Sequence, residues 1–231
     1  MKRIVVLNPK GGSGKTTLAT NLASLFAARG HKTALMDYDN QGSSTFWAGQ
    51  RSAELPAIQI IPAYRHPVSM TRNYFLRAAP HTEYLVIDTP AALDFREFER
   101  TLNEATAIVI PVLPSDVDIH AGANCVGQLL TLAKIRREDR RIAVVANRVR
   151  KNTLVYQRLV FFLNSLQIPF VASLRDTQNY INAAGTGVGI FEMAPNRVRD
   201  DLAAWQPLIE WLQTRSTVVD RAQTHIAPPA I

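Results

Sequence analysis

The stretch N-P-K-G-G-S-G-K-T-T, residues 8–17, decides the fold of this 231-residue chain. It follows an apolar run typical of a β-strand, R-I-V-V-L-N at residues 3–8, and precedes a helical pattern that begins near Lys15. A glycine-rich loop between a strand and a helix binds phosphate, because its backbone N–H groups can converge on phosphate oxygens and the helix N-terminus adds partial positive charge. The stretch therefore predicts a nucleotide-binding site.

The loop departs from the pattern G-x-x-x-x-G-K-[ST] in two ways. The first glycine of that pattern would fall at position 9, which is Pro9, and a second lysine, Lys10, stands beside it. We expect Lys15 to reach the terminal phosphates, Thr16 to ligate Mg²⁺ and Thr17 to bond an inner phosphate. The predicted nucleotide-binding residues of the loop are Gly11, Gly12, Ser13, Gly14, Lys15, Thr16 and Thr17.

Apolar runs of β type alternate with helical patterns along the whole chain. The predicted strands are 3–8, 33–37, 58–61, 84–88, 107–112, 141–146 and 169–173. The predicted helices lie near 16–29, 69–78, 94–104, 117–135, 153–166 and 197–213. This alternation predicts an α/β fold, a single doubly wound and mostly parallel sheet flanked by helices. We expect one domain over 1–215 and a flexible tail over 216–231.

Acidic residues follow two of these strands. Asp37 and Asp39 come after the run T-A-L-M, and Asp88 closes the run Y-L-V-I-D. A lone aspartate after a strand is usually a turn residue. Because the carboxyl ends of parallel strands share the edge at which ligands bind, three aspartates beside a phosphate loop indicate a site, with Asp88 as the carboxylate that supports Mg²⁺.

The net charge of +7 is concentrated in one segment. Between Lys134 and Arg158 there are nine Lys/Arg and two acids, so the net charge of this segment, nine minus two, equals that of the whole chain. Such a segment is either a solvated helix end with its loop or a surface for phosphate backbones, and charge alone leaves both open.

Cysteine usage and hydropathy point to the cytoplasm. The single cysteine, Cys125, excludes an internal disulfide and lies in an apolar helical stretch typical of a buried, inert thiol. No run approaches the ~18 apolar residues of a membrane span. The apolar run after Met1 is too short for a signal peptide.

Three motifs together resemble the deviant Walker A ATPases of the ParA/MinD type. They are K-G-G-S-G-K-T-T at 10–17, N-L-A at 21–23 and D-Y-D-N-Q-G-S at 37–43, and the resemblance extends from Lys2 to about Gln213. Asn40 stands where the family often has proline, and Thr89-Pro90 where Pro-Pro is common, but neither change removes a group that the chemistry needs. The resemblance implies a doubly wound domain that dimerises around two ATP molecules.

The same resemblance implies roles for single residues. Lys10 would cross the dimer interface to the partner's nucleotide and act like an arginine finger, bringing positive charge to the phosphates. Asp39 would orient the attacking water, so that the catalytic set is Lys10, Lys15 and Asp39. The metal set would be Thr16, Asp88 and Asp37.

Asn147 and Arg148 follow the strand R-I-A-V-V-A and resemble the adenine-contacting Asn-Arg pair of the family. In the ParA-like class the ATP-bound dimer binds double-stranded DNA without sequence preference, which gives the basic segment a function. The predicted DNA-binding residues are Arg148, Arg150, Lys151, Arg158, Arg175, Arg197 and Arg199.

These implications define the predicted function. It is an ATP- and Mg²⁺-dependent ATPase, weak until stimulated, that binds the nucleoid and moves a cargo with a ParB-like or other adaptor protein. The cargo is either a plasmid or chromosome locus or a protein body such as a carboxysome.

Two alternatives stay open. One is a MinD-like membrane-associated ATPase, which is disfavoured because the apolar stripe of helix 197–213 suits packing on the sheet and the sequence after it suits a membrane poorly. The other is an ATP-dependent metabolic synthase of the same fold. Members that share an iron–sulfur cluster, and arsenite-pump ATPases, need more cysteines than Cys125.

Overall fold

The computed structural model describes residues 1–65, 77–150, 153–165 and 167–224, with the backbone alone described over 216–224. The strands of this part of the chain are β1 (Lys2–Val6), β2 (Thr33–Asp37), β3 (Ile58–Pro62), β4 (Tyr84–Asp88), β5 (Ala107–Val112), β6 (Ile142–Val149) and β7 (Phe170–Arg175). The α-helices of the same residues are α1 (Lys15–Ala28), α2 (Ser43–Gly49), α3 (Glu99–Asn103), α4 (Asp116–Thr131), α5 (Leu154–Ser165), α6 (Gln178–Gly185) and α7 (Pro195–Thr224). Short 3₁₀ turns lie at Ala63–Arg65, Arg137–Asp139 and Ile190–Glu192.

The strands form one seven-stranded sheet in the order β3-β2-β4-β1-β5-β6-β7, and every neighbouring pair is parallel. Strands β2, β4 and β5 are buried along their whole length, because helices cover both faces of the sheet. The predicted doubly wound parallel fold is confirmed.

Successive residues of the central strand β1 enter two different cores. Val5 packs into the core formed with α4 and α5, whereas Val6 packs into the core formed with α1 and α7. This follows from the two-residue period of a strand, and it explains why the strands read as continuous apolar runs. Cys125 of α4 is fully buried in the first core, where burial raises the pKa of its thiol to about 12.

The sheet register brings the acidic strand ends together at one edge. Asp37 at the end of β2 is the direct neighbour of Asp88 at the end of β4, and Asp88 in turn stands beside Val6 at the end of β1. The glycine-rich loop leaves β1 at this carboxyl edge, so the sheet itself positions the site.

Two helices were not predicted from the sequence. Helix α2 has only two buried residues, Ser44 and Trp47, and it begins after Gly42, whose φ of 63° is left-handed. Helix α6 buries only Ala183. Neither helix has the long apolar stripe on which sequence-based assignment depends. The predicted helix near 69–78 falls mainly on residues outside the described ranges.

The last helix, α7, is longer than predicted. It begins at Pro195 and runs to Thr224, past the predicted end at Gln213 and through residues 216–224 of the segment predicted as a flexible tail. No glycine or proline interrupts the sequence between Gln213 and Pro228, so no strong stop signal ends the helix. The division of the chain at residue 215 stays a prediction.

The apolar stripe of α7 is buried against the sheet. Its side chains, which are at most 5% exposed, are Val198, Trp205, Leu208, Ile209 and Leu212. All of them except Val198 belong to the same core as α1, as expected for a helix that packs on the sheet. In the described part of the chain, no helix combines the length and the apolar character that crossing a membrane requires.

Candidate nucleotide-binding site

The loop between β1 and α1 is fixed at its start by Asn8. This buried residue donates from Nδ2 to the carbonyl oxygen of Pro111 at 2.7 Å, and its Oδ1 accepts a hydrogen bond from the Lys10 amide at 2.9 Å. Gly12 and Gly14 have φ values of 76° and 93°, in the left-handed region that favours glycine. Gly14 is also the N-cap of α1, so the loop passes directly into the helix.

Lys15 lies across this loop. Its ammonium donates to the carbonyl oxygen of Lys10 at 3.2 Å, and the residue is only 6% exposed. Burial lowers the pKa of Lys15, whereas the charges of Asp88 and Asp39 raise it. A buried ammonium gains stability from an anion, and the bound phosphates of a nucleotide are such an anion.

Asp88 is a buried carboxylate with one unpaired oxygen. The residue is 1% exposed, its Oδ2 accepts a hydrogen bond from Ser44 Oγ at 2.5 Å, and its Oδ1 has no hydrogen-bond partner among the described residues. Burial raises the pKa of Asp88 to about 7, against which the hydroxyls of Ser44 and Thr16 act. A buried oxygen without a partner is costly unless a cation or water satisfies it, so this group fits a Mg²⁺ shell.

A second unpaired polar atom, the Ser13 hydroxyl oxygen, is buried within the loop itself. Ser13 Oγ, Asp88 Oδ1 and Asp118 Oδ1, on the partner of Lys10, are buried and have no hydrogen-bond partner in the described part of the chain. Thr16, at the start of α1, acts on the pKa of Asp88 and thus belongs to the same cluster. The site therefore has the donors and acceptors that a phosphate chain with a divalent cation requires.

Asp37 is engaged on both of its oxygens. Oδ2 accepts from the amide and hydroxyl of Thr45 at 2.9 and 2.8 Å, and Oδ1 accepts from the amide of Asp39 at 3.1 Å. Burial raises the pKa of this carboxyl group. These bonds attach the start of α2 to the end of β2, so Asp37 positions the helix that carries Ser44.

Asp39 is half-buried. Its negative charge raises the pKa of Lys15, so it acts on the lysine of the loop. Its Oδ1 accepts a hydrogen bond from the amide of Gln41 at 3.0 Å, and its carbonyl oxygen accepts from the Gly42 amide at 2.8 Å. No hydrogen bond to the second carboxylate oxygen is found among the described residues, and the predicted role toward a water stays a prediction.

Lys10 is held by a residue that sequence reasoning missed. Its ammonium lies 2.8 Å from Asp118 Oδ2, with the Lys10 side chain 33% exposed and that of Asp118 5% exposed. Asp118 lies in the first turn of α4, where its amide donates to the N-cap hydroxyl of Ser115. The only signal in the sequence is the cap pattern S-D-V-D at 115–118, which predicts a helix start and no contact with Lys10.

Asn147 lies against the phosphate loop. It is 4% exposed and donates from Nδ2 to the carbonyl oxygen of Ser13 at 2.9 Å. Arg148, next in the chain, is exposed and has a left-handed φ of 51°. The structure thus brings Asn147 to the loop, while the predicted contact of Asn147 and Arg148 with adenine stays a prediction.

The predicted DNA-binding arginines lie near the same edge of the sheet, but several are engaged. Arg150 pairs with Asp176 at 3.2 Å, and Arg158 lies 3.8 Å from Asp116. Arg175 pairs with two aspartates, Asp200 at 3.2 Å and Asp201 at 2.8 Å. An open cavity of about 300 Å³ is lined by Arg175, Asn196, Arg197, Arg199 and Asp200. Lys151 lies outside the described residues.

The basic segment 134–158 is not one surface, contrary to the sequence expectation. Strand β6 divides it, and eight residues of strand span about 26 Å. The basic residues before β6 lie at the amino edge, opposite the loop; one of them, Arg141, donates to the carbonyl oxygens of Leu102, Asn103 and Ala105. Of the described basic residues in this segment, those after Ala146 share the edge of the candidate site.

The fold and the loop define a P-loop nucleotide-binding domain. Residues 4–190 match the family described as the CobQ/CobB/MinD/ParA nucleotide binding domain. The chain therefore belongs to this family, whose ParA/MinD branch consists of ATPases.

Similar proteins lie in that branch. The chain is 30% identical over 191 residues to the maintenance of carboxysome distribution protein A of Halothiobacillus neapolitanus, covering 82% of this chain and 87% of that protein. It is 29% identical over 161 residues to the chromosome-partitioning ATPase Soj of Thermus thermophilus, covering 59% and 63%. The solved structure of apo McdA from Cyanothece has the same fold, with a TM-score of 0.70 at 18% identity, covering 92% and 99% of the two chains.

Proposed function

We propose that this chain is an ATPase that dimerises around two ATP molecules and positions a cargo by binding and leaving nucleoid DNA. The observation that carries the proposal is the second lysine, Lys10, placed beside a phosphate loop whose own lysine, Lys15, already spans the loop. A nucleotide site that uses a single lysine does not require Lys10. A site that a second copy of the chain completes does require it, because Lys10 of one copy would reach the nucleotide of the other.

Nucleotide binding would use the loop backbone, Lys15 and the buried hydroxyl of Ser13. Mg²⁺ would be held by Thr16 and Asp88, and it supplies positive charge to the phosphates. The unpaired Oδ1 of Asp88 supports this assignment. Asp37, with both oxygens engaged, would act through the position of α2 and Ser44.

Hydrolysis would depend on Asp39 and on both lysines. Asp39 would orient the attacking water with its carboxylate, and Lys15 would stabilise the charge that develops on the phosphates. Lys10 of one copy would add charge to the nucleotide of the other. In the monomer Lys10 pairs with Asp118, so basal hydrolysis should be weak until dimerisation releases it.

The DNA surface would lie at the carboxyl edge and include Arg148, Arg197 and Arg199, with Arg150, Arg158 and Arg175 at its margin; Lys151, outside the described residues, stays a predicted DNA-binding residue. Arg175 contributes least on its own, because Asp200 and Asp201 neutralise it. Contacts between arginines and phosphates release counterions, so binding should weaken steeply with salt.

The relatives support a positioning role and name two kinds of cargo. The protein from Halothiobacillus neapolitanus is named for carboxysome distribution and the one from Thermus thermophilus for chromosome partitioning. We propose that this chain works with a cargo-bound adaptor that stimulates hydrolysis, and that the cargo is a protein body or a DNA locus. The protein would be cytoplasmic and nucleoid-associated.

The test is retention on non-specific double-stranded DNA with Mg²⁺-ATP, with Mg²⁺-ADP and without nucleotide, over a salt series. We expect retention with ATP alone and a steep loss as salt rises. The variant Arg197→Glu/Arg199→Glu should weaken DNA retention and leave ATP affinity unchanged. If the wild-type protein binds ATP but is not retained on DNA in any state, the nucleoid part of the proposal is wrong.

A further inference from the structure

The hydrogen bond between Asn147 and the phosphate loop has a consequence for phosphate binding. Asn147 Nδ2 donates to the carbonyl oxygen of Ser13 at 2.9 Å, across 134 positions of sequence. Both residues are buried, Asn147 to 4% and Ser13 to 0% exposure. A buried side-chain amide that bonds a loop backbone fixes the orientation of that peptide group.

The Ser13–Gly14 peptide carries one of the N–H groups that a phosphate loop uses. It is a trans peptide, so the carbonyl of Ser13 and the N–H of Gly14 point in opposite directions. When Asn147 holds the carbonyl on its own side, the Gly14 N–H must point to the other side of the loop. The Asn147 side chain on β6 thus sets the direction of the Gly14 N–H, a hydrogen-bond donor to phosphate in the loop after β1.

The residue types on both sides of this contact suit it. A Cβ atom at Gly14 would overlap Asn147 Nδ2, and the φ of 93° at Gly14 is left-handed as well. Glycine is therefore required at position 14 by the loop conformation and also by the side chain that packs against it.

Strand alternation places Asn147 on the same face of β6 as Val145, which packs into the core formed with α1, and a bulge follows directly after it. Between the pairs Ala146–Ser173 and Val149–Arg175, two residues of β6 stand opposite one residue of β7. Arg148, in the left-handed conformation, takes up the extra residue. Bulges re-aim the side chains that follow them, and here the extra residue Arg148 is exposed while Val149 returns to the core on the side of Ala146.

We propose that Asn147 is a positioning residue for phosphate binding: it orients the Ser13–Gly14 peptide, and it does so whether or not the ligand carries a base. This deepens the proposed nucleotide-binding function and rests on it. A residue that only contacted adenine would affect ATP and leave a base-free phosphate chain unaffected. A positioning residue affects both.

The test compares ATP with inorganic triphosphate, measured in competition with a fluorescent ATP analogue on the full chain. We expect Asn147→Ala to weaken both ligands by a similar factor, about tenfold, as for the loss of one buried hydrogen bond. The control is Asn182→Ala, an exposed amide on α6, which should change neither affinity. If Asn147→Ala weakens ATP but leaves triphosphate binding unchanged, the inference is wrong while nucleotide binding stands; if the wild type binds neither ligand, the proposed function itself fails.

A second variant separates positioning from a general loss of structure. In Asn147→Asp the ionised carboxylate cannot donate to the Ser13 carbonyl, whereas its protonated form can. We therefore expect the deficit in triphosphate binding, relative to wild type at the same pH, to shrink as pH falls toward the pKa of the introduced carboxyl group, which burial raises above the ordinary value of about 4. A deficit that stays constant over the pH range in which both proteins remain folded would overturn the inference.

Discussion

At the residue scale, the buried carboxyl group of Asp88 gives the site its pH dependence. Its pKa is raised from 3.8 to about 7 in the folded chain, mainly by burial. The folded state therefore holds a proton between these two pKa values that the unfolded state has lost, and the free energy of unfolding falls as pH rises through this range. Above about pH 7 the Asp88 carboxylate is charged in the folded protein too, so the free energy of unfolding carries the full cost of burying that charge.

We predict that Asp88→Asn stabilises the nucleotide-free protein at pH 8 by on the order of a few kcal/mol, and by much less at pH 5. Denaturant unfolding at both pH values measures this difference. The control Glu54→Gln changes an exposed carboxylate and should show no such pH dependence. Equal stabilisation at pH 5 and pH 8 would show that the charge of Asp88 is not the cause.

A second prediction at this scale concerns Lys15. Replacement by alanine removes the ammonium that spans the loop, so Lys15→Ala should lower the affinity for Mg²⁺-ATP at least tenfold, the expected loss for a charge-assisted hydrogen bond to phosphate. Calorimetric titration measures the affinity, and the exposed Lys32→Ala is a matched control. Unchanged ATP affinity in Lys15→Ala would contradict the assignment of the loop.

At the element scale, helix α2 is held by a buried ion pair far away in sequence. Arg51, just after α2, pairs with Glu192 at 2.7 Å, with side-chain exposures of 8% and 3%. Arg51 also donates to the carbonyl oxygen of Gly187, and its guanidinium lies 4.9 Å from the ring of Trp47. The segment 187–192 thus fixes the end of the helix whose start carries Ser44, the hydrogen-bond donor to Asp88.

We predict that Glu192→Ala lowers the free energy of unfolding by about 3–5 kcal/mol, because it leaves Arg51 buried without its partner. Glu210→Ala, which removes an exposed glutamate on α7, should cost less than about 0.5 kcal/mol. Denaturant unfolding of both variants gives the comparison. A loss in Glu192→Ala as small as that in Glu210→Ala would mean that the ion pair does not hold α2.

The same elements show what the sequence can and cannot predict. The sheet and the loop were predictable, because buried strands read as apolar runs and a phosphate loop needs glycine at fixed positions. The contacts of Lys10 with Asp118 and of Arg51 with Glu192 were not, since each joins residues more than 100 positions apart that carry no local pattern. The charge count over 134–158 suggested a single basic surface for a related reason. A count along the chain ignores strand β6, which separates the two halves of the segment.

At the scale of the whole molecule, the ion pair between Lys10 and Asp118 would stabilise the monomer relative to the dimer. If Lys10 must reach a partner's nucleotide, it first has to leave Asp118, and part of the free energy of association is lost in breaking this pair. The Lys10 side chain is one-third exposed, so water screens the pair and the loss is modest. The balance between the two states should therefore respond to Asp118 alone.

We predict that Asp118→Asn forms the ATP-bound dimer at lower protein concentration than the wild type, whereas Lys10→Ala requires a higher concentration. The first variant frees Lys10, and the second removes the charge that the partner's phosphates would gain. Sedimentation with Mg²⁺-ATP measures the dimer fraction, and Asp116→Asn, an exposed aspartate of the same helix turn, is the matched control. If Asp118→Asn dimerises like the control while Lys10→Ala is impaired, the ion pair does not restrain Lys10; if neither variant shifts the equilibrium, Lys10 does not act across an interface.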